Sequence, residues 1–183
     1  MQIDEELIDA CIDNDRLAQN KLYKLVFSYL MSLCIRYKKD YDSAGNSLNA
    51  IFLKILTHIG DHNLHSSSFQ AWIKRIAVNH LIDEYRKEQR EKQHLVFQEK
   101  LNGKEVEHEV HDSGMLKMES EYLIEMIAEL PPRTAAVFNL YAIDGYKHKE
   151  IAEMLDISVN TSKWHLRDAR QKLQVRLELE KKI

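Results

Sequence analysis

The chain is 183 residues long with a formal net charge of −3, and 44% of its residues are hydrophobic against 30% charged. That apolar content suffices for a packed core and excludes wholesale disorder, and the length allows one ordinary domain or two small ones. Five Gly and two Pro are too few turn formers for a β-sandwich or a Gly-looped α/β enzyme, so the expected class is all-α.

The chain starts MQIDEELIDACIDND, with six acids and no base. This stretch lacks the basic end and apolar run of a secretory signal. No apolar run reaches the ~18 residues of a membrane span. A cytoplasmic location without membrane insertion is therefore expected. Cys11 and Cys34 stand alone rather than in a CxxC pair. In a reducing compartment they are expected as small core residues, not as a disulfide.

Three apolar stripes follow at helical spacing. Leu22, Leu25, Val26, Tyr29, Leu33 and Tyr37 form the first. Leu48, Ile51, Phe52, Ile55, Leu56 and Ile59 form the second. Phe69, Trp72, Ile73, Ile76 and Ala77 start the third, continued by Leu81 and Tyr85. DYDSAGN (40–46) and GDHNLHSSS (60–68) separate them, which predicts a small helical bundle.

From about Glu91 to Met118 periodicity fades, charge is dense and two of the Gly occur. This predicts a linker that can carry partial helix. The expected organisation is a helical domain over 1–91, a flexible acidic linker over 92–118 and a second helical domain over 119–183. In the second domain Tyr122, Leu123, Met126, Ile127 and Leu130 form a stripe stopped by Pro131-Pro132. RTAAVFNLYAI then runs to a stop at Asp144-Gly145. Charge alternates along the chain. Residues 98–129 hold nine acids and three bases, and residues 145–176 hold seven bases and four acids. Such asymmetry fits a nucleic-acid binder with acidic tail and linker segments.

KHKEIAEMLDISVNTSKWHLRDARQKL (147–173) carries the sharpest signal. Ile151, Ala152 and Leu155 form the buried edge of a short helix, Asp156-Ile157-Ser158 the turn, and Ser158 the cap of the next helix. Small Ala152 lets the two helices approach. This is a helix-turn-helix pattern, in which the second helix lies in the major groove. At 100° per residue, Ser162, Leu166, Ala169 and Leu173 cluster within about 60° and define the core face. Trp164 then lies about 200° away, with Asn160, Lys163, Arg167 and Gln171 on the same outward side. Thr161 and Arg170 complete the expected duplex-contacting set. Arg and Lys suit guanine edges or phosphates, and Asn and Gln suit adenine. The alternative is that Trp164 packs against the other domain or a partner.

SFQAWIKRIAVNHLIDEYRKEQR (68–90) is the second candidate. Asn79 and His80 interrupt its stripe, and Arg86, Lys87 and Arg90 give it a basic end. With the polar loop before it, such a helix can receive single-stranded DNA, or it can be a solvated amphipathic helix.

The order AWIKRIAVN..IDEYR, acidic linker, LPPRTAAVF.L, then KEIAEMLDISVNTSKWHLRDARQKL resembles the sigma-70-like RNA polymerase sigma factors. Within them the chain is most similar to the short extracytoplasmic-function (ECF) group, which keeps only the region 2 and region 4 domains. The resemblance implies a region 2-like bundle and a region 4-like helix-turn-helix. It implies a factor that binds core RNA polymerase at the β′ clamp and β flap and gives it promoter specificity. The helix near 158–173 would read the −35 element as duplex. The segment near 60–90 would recognise the −10 element, with Asn79 at a base or backbone, Asp83 fixing the helix surface, and Arg86, Lys87 and Arg90 on phosphates. Leu48, Asn49 and Phe52 match the stretch that docks on polymerase, and Trp72 matches a core residue. The group commonly has an anti-sigma partner. No enzymatic activity, cofactor or metal is implied.

Two departures stand out. The acidic positions of the clamp-docking helix are Gly45, Asn46 and Ala50 here, which implies weaker or differently arranged core binding, since charge-assisted contacts are the stronger kind. Lys147 replaces the Ser or Thr expected before the first helix of the helix-turn-helix, removing a side-chain cap.

Three rival readings compete with this one. His58, His62 and His65 have i, i+4, i+7 spacing that could seat a metal, but Gly60 lies among them and no HExxH, P-loop, G-x-G-x-x-G or G-x-S-x-G occurs. A helix-turn-helix regulator acting without core polymerase is the second. A protein that binds polymerase without activating it is the third.

Overall fold

The computed structural model describes residues 3–38, 40–61, 68–102 and 119–180. Its regular structure is helical, with no strand among the described residues. The chain divides into two compact units, Met1–Leu81 and Ile82–Ile183.

In the first unit α1 (Glu5–Ile12), α2 (Arg16–Ile35) and α3 (Tyr41–His58) precede a 3₁₀ turn at Ile59–Asp61, and α4 (Phe69–Asn102) starts in this unit and runs past its end at Leu81. Aspartates start the first three helices. Asp4 accepts from the Leu7 N–H at 2.9 Å, Asp15 from Leu17 at 2.7 Å and Ala18 at 3.0 Å, and Asp40 from Ser43 at 2.7 Å. Each satisfies an N–H that the first turn leaves without a helical partner. The Ser43 N–H, then its hydroxyl, hold the Asp40 carboxyl below the ordinary carboxylate range. Part of the acidic start is therefore capping, not charge for a partner. Asp40 also moves the expected break: residues 41–46, read as a loop, are the first turns of α3.

The core of this unit gathers Leu7, Ile8 and Cys11 from α1, Leu22, Val26, Leu30 and Cys34 from α2, Leu48, Ile51 and Ile55 from α3, and Ile73 and Ala77 from α4. Fully burying side chains of this size stabilises by about 1.5–3 kcal/mol each. The expected stripes hold except at Leu25, which is exposed. α4 continues to Asn102, through 92–102 of the stretch read as linker; the rest of that stretch lies outside the described residues.

The second unit contains α5 (Glu119–Ala128), α6 (Pro132–Phe138), α7 (His148–Leu155) and α8 (Val159–Glu180). Pro132 opens α6 at a position whose N–H would lack a helical partner anyway. After α6 the backbone widens into a π-helical stretch, Asn139–Ile143, and Gly145 at φ 83° ends it. Met126, Ile127 and Leu130 pack against Ala169 and Leu173 of α8. Val137, Leu140, Ile151 and Leu155 are buried as well. Leu123, expected in this core, is exposed. An ion pair between Arg176 and Glu129 ties α8 to the end of α5.

Candidate nucleic-acid interface

α7 and α8 form the expected helix-turn-helix. Lys147 precedes α7 and offers no side-chain acceptor, yet its backbone N–H donates to the Glu150 carboxylate at 2.7 Å. That is the reciprocal half of a capping box, and it recovers part of what a Ser or Thr would give. Asp156 closes α7 in the left-handed region at φ 53°, and the Ile157 N–H bonds the Ala152 carbonyl at 3.0 Å. The Thr161 N–H donates to Ser158 Oγ at 3.0 Å, so Ser158 caps α8 as expected.

The inward side of α8 is Ser162, Leu166, Ala169 and Leu173, all buried. Polar ties fix its rotation. Thr134 of α6, itself buried, donates to Asp168 Oδ2 at 3.3 Å and lies 3.0 Å from His165 Nδ1. With its proton directed at Asp168, Thr134 accepts from His165. Lys172 donates to the same Asp168 oxygen at 2.9 Å. Burial first, then the Arg133 and Lys172 charges against an opposing Asp168, hold the His165 imidazole below its ordinary value. On the other flank His148 Nδ1 lies 2.9 Å from Ser162 Oγ.

With that rotation fixed, Asn160, Lys163, Trp164, Arg167, Arg170 and Gln171 are exposed, and Thr161 is half-buried beside Ser158. Trp164 is 59% exposed, its ring edge-on to His165 at 4.9 Å. An indole this exposed beside three cations is a surface suited to a polar, anionic ligand.

On α4, Asn79, Asp83, Lys87 and Arg90 are exposed and Arg86 is half-buried. Lys87 lies 3.9 Å from Glu91. The loop expected to receive a base lies outside the described residues at 62–67, which also removes His62 and His65 from view. His58 pairs with Asp61 at 3.2 Å. Among the described residues no group of three or more His, Cys, Asp or Glu could hold a metal ion.

The three positions expected to dock on polymerase separate. Leu48 is 1% exposed and belongs to the core of the first unit. It shapes α3 from inside and offers no surface to a partner. Asn49 is exposed and accepts from the Tyr23 hydroxyl at 3.1 Å. Phe52 is half-buried, edge-on to the same Tyr23 ring at 4.9 Å. Leu53, which the periodic reading passed over, is 66% exposed. Its place off the stripe was the available signal. Tyr141 and His148 were also passed over: their rings stack at 4.4 Å and 22°, and Arg170 sits 6.0 Å above the Tyr141 ring.

Two family models match the chain, the first running ten residues past Leu81. Residues 21–91 match Sigma-70 region 2 and residues 120–173 match Sigma-70, region 4. The chain is 24% identical over 155 residues to the ECF RNA polymerase sigma factor SigM of Bacillus subtilis (strain 168), covering 85% of this chain and 92% of that protein. Its fold resembles that of the sigma factor RpoE from Bartonella quintana, solved in complex with the anti-sigma factor NepR. The TM-score is 0.53 at 19% identity, over 87% of this chain and 96% of that one. CnrH, solved in complex with the cytosolic domain of CnrY, aligns with a TM-score of 0.49 at 18% identity over 94% and 96% of the two chains. Among the described residues no helix is long and apolar enough to cross a membrane. The chain belongs to the sigma-70 family, as a sigma factor of the ECF group that directs RNA polymerase to promoters.

Proposed function

We propose that this sigma factor reads the −35 element as duplex through α8 and the −10 element through α4. The carrying observation is the outward side of α8, where Trp164 stands exposed beside Lys163, Arg167 and Arg170. Asn160, Trp164 and Gln171 meet base edges, and Thr161 and the cations contact the sugar-phosphate backbone or guanine. On α4, Asn79 contacts an opened strand, Asp83 holds the helix surface, and Arg86, Lys87 and Arg90 meet phosphates. Docking on the β′ clamp runs through Asn49 and Phe52, supported by Tyr23, and region 4 docks on the β flap. An anti-sigma factor is a further partner, as for the relative solved with one. The chain acts in the cytoplasm as a non-enzymatic factor.

In vitro transcription with purified core polymerase and a promoter library tests this. Initiation from a defined promoter class that needs this chain supports the reading. Duplex binding without polymerase and no stimulated initiation would instead identify a self-sufficient regulator.

A further inference from the structure

The cationic side of α8 is braced by two residues outside that helix. The His148 ring stacks on Tyr141, and its Nδ1 lies 2.9 Å from Ser162 Oγ. Ser162 is 0% exposed, so its hydroxyl has no solvent to turn to. Arg170 is held above the other partner of the stack, Tyr141. His148 therefore joins the start of α7 to the inward side of α8, while the two cations that act on it, Lys163 and Arg170, project outward from α8. Lys147, Lys149 and Glu150 flank it in sequence, and the Glu150 carboxylate is engaged by the Lys147 N–H.

Burial first, then Lys163 and Arg170, hold this imidazole below its ordinary value. In the free chain this favours the uncharged ring. Protonation does not break the brace, because a serine hydroxyl either donates to a neutral ring nitrogen or accepts from a protonated one. A phosphate lying against Lys163 and Arg170 cancels part of the positive field that keeps the proton away.

We propose that His148 is a positioning residue of the duplex-reading surface, bracing α7 against α8 and taking up a proton when DNA engages Lys163 and Arg170. This rests on the assignment of α8 to DNA. It adds a residue outside the recognition helix and makes promoter affinity depend on pH.

The test measures promoter affinity of the full chain bound to core polymerase between about pH 5 and pH 8, a window that reaches below the ordinary histidine value because this imidazole is held below it. Wild type is compared with His148→Asn and His148→Gln, which keep a hydrogen-bonding group but do not titrate. The expected result is tightening of the wild type as pH falls, by about tenfold for each pKa unit gained on binding, and a flatter profile in both variants. Parallel profiles overturn the proposal, even if the variants bind more weakly, because the brace would then be only structural. Should either variant misfold, NMR titration of the His148 ring in the wild-type chain decides. Its midpoint rises on adding a promoter duplex if the proposal holds; a lower or unchanged midpoint overturns it. Absence of promoter binding at every pH removes the assignment of α8 itself.

Discussion

Replacing Leu48 and Leu53 by Ala, one at a time, tests how α3 is turned. Leu48 is 1% exposed and Leu53 66% exposed, on the same helix. Leu to Ala removes three carbons, worth about 2.4 kcal/mol at ~0.8 per buried CH₂. The cavity left by incomplete collapse raises the loss at Leu48 to about 3–5 kcal/mol. In a unit of this size that lowers the unfolding temperature by on the order of 15 °C. Leu53 has little buried surface to lose, and its loss stays below about 1 kcal/mol. Trp72 packs against the same core as Leu48. In a Trp164→Phe background it is the sole indole, so its fluorescence follows the first unit through urea unfolding. Polymerase affinity is then measured where both variants are folded. Leu48→Ala should unfold early yet bind normally, and Leu53→Ala should unfold normally. A Leu48→Ala chain of wild-type stability but weakened polymerase binding would show that α3 is rotated from the arrangement described.

Three further predictions concern the second unit. Asp156 sits in the left-handed region, so Asp156→Val should destabilise by about 1–2 kcal/mol and Asp156→Gly should not, by thermal unfolding. Lys147→Ser restores a side-chain acceptor before α7 and should stabilise by about 0.5–2 kcal/mol in the same assay. For pH, burial, Arg133 and Lys172 place the folded value of His165 below its unfolded value. Its contribution to stability is then fully present above about pH 6.5 and is lost as pH falls through the folded value. The drop in unfolding midpoint from about pH 7.5 to about pH 5.5 should be smaller in His165→Asn than in wild type; equal drops would place the pH sensitivity elsewhere.

The parts of the fold legible in the sequence are those where burial follows a strict period. Four positions on α8, from Ser162 to Leu173, were assigned inward by rotation alone, and the polar ties from Thr134 and His148 hold them there. Ser162 is inward although polar, because a hydrogen bond to His148 satisfies its hydroxyl. Leu48 misled for the opposite reason. Family likeness marks which stretch meets a partner, but only the packing of α3 decides which residues of that stretch are covered. The start of α3 was hidden by DYDSAGN, whose turn-forming residues are also good capping residues, and Asp40 uses that chemistry. α4 runs on to Asn102, into the stretch read as a linker with partial helix, but its end is not marked in the sequence because periodicity looks for an apolar stripe. Helix formers such as Glu, Lys, Gln and Leu, with i,i+4 pairs such as Lys87–Glu91, continue a helix without one. The Tyr141–His148 stack leaves no sequence signal, since it depends on how the π-helical stretch meets α7.

Whether the outward side of α8 lies in a DNA groove can be read by crosslinking. The native Cys11 and Cys34 are buried, and burial, then Asp15, hold the Cys11 thiol above its ordinary value. A photoreactive probe can therefore be placed selectively on Gln171→Cys, with Glu153→Cys of α7 as an exposed control. Irradiation of the polymerase–promoter complex should link the Gln171 probe to bases of the upstream promoter element and leave the control unlinked to DNA. A Gln171 probe that labels only protein while the promoter is bound would mean that this side of α8 faces a protein partner instead.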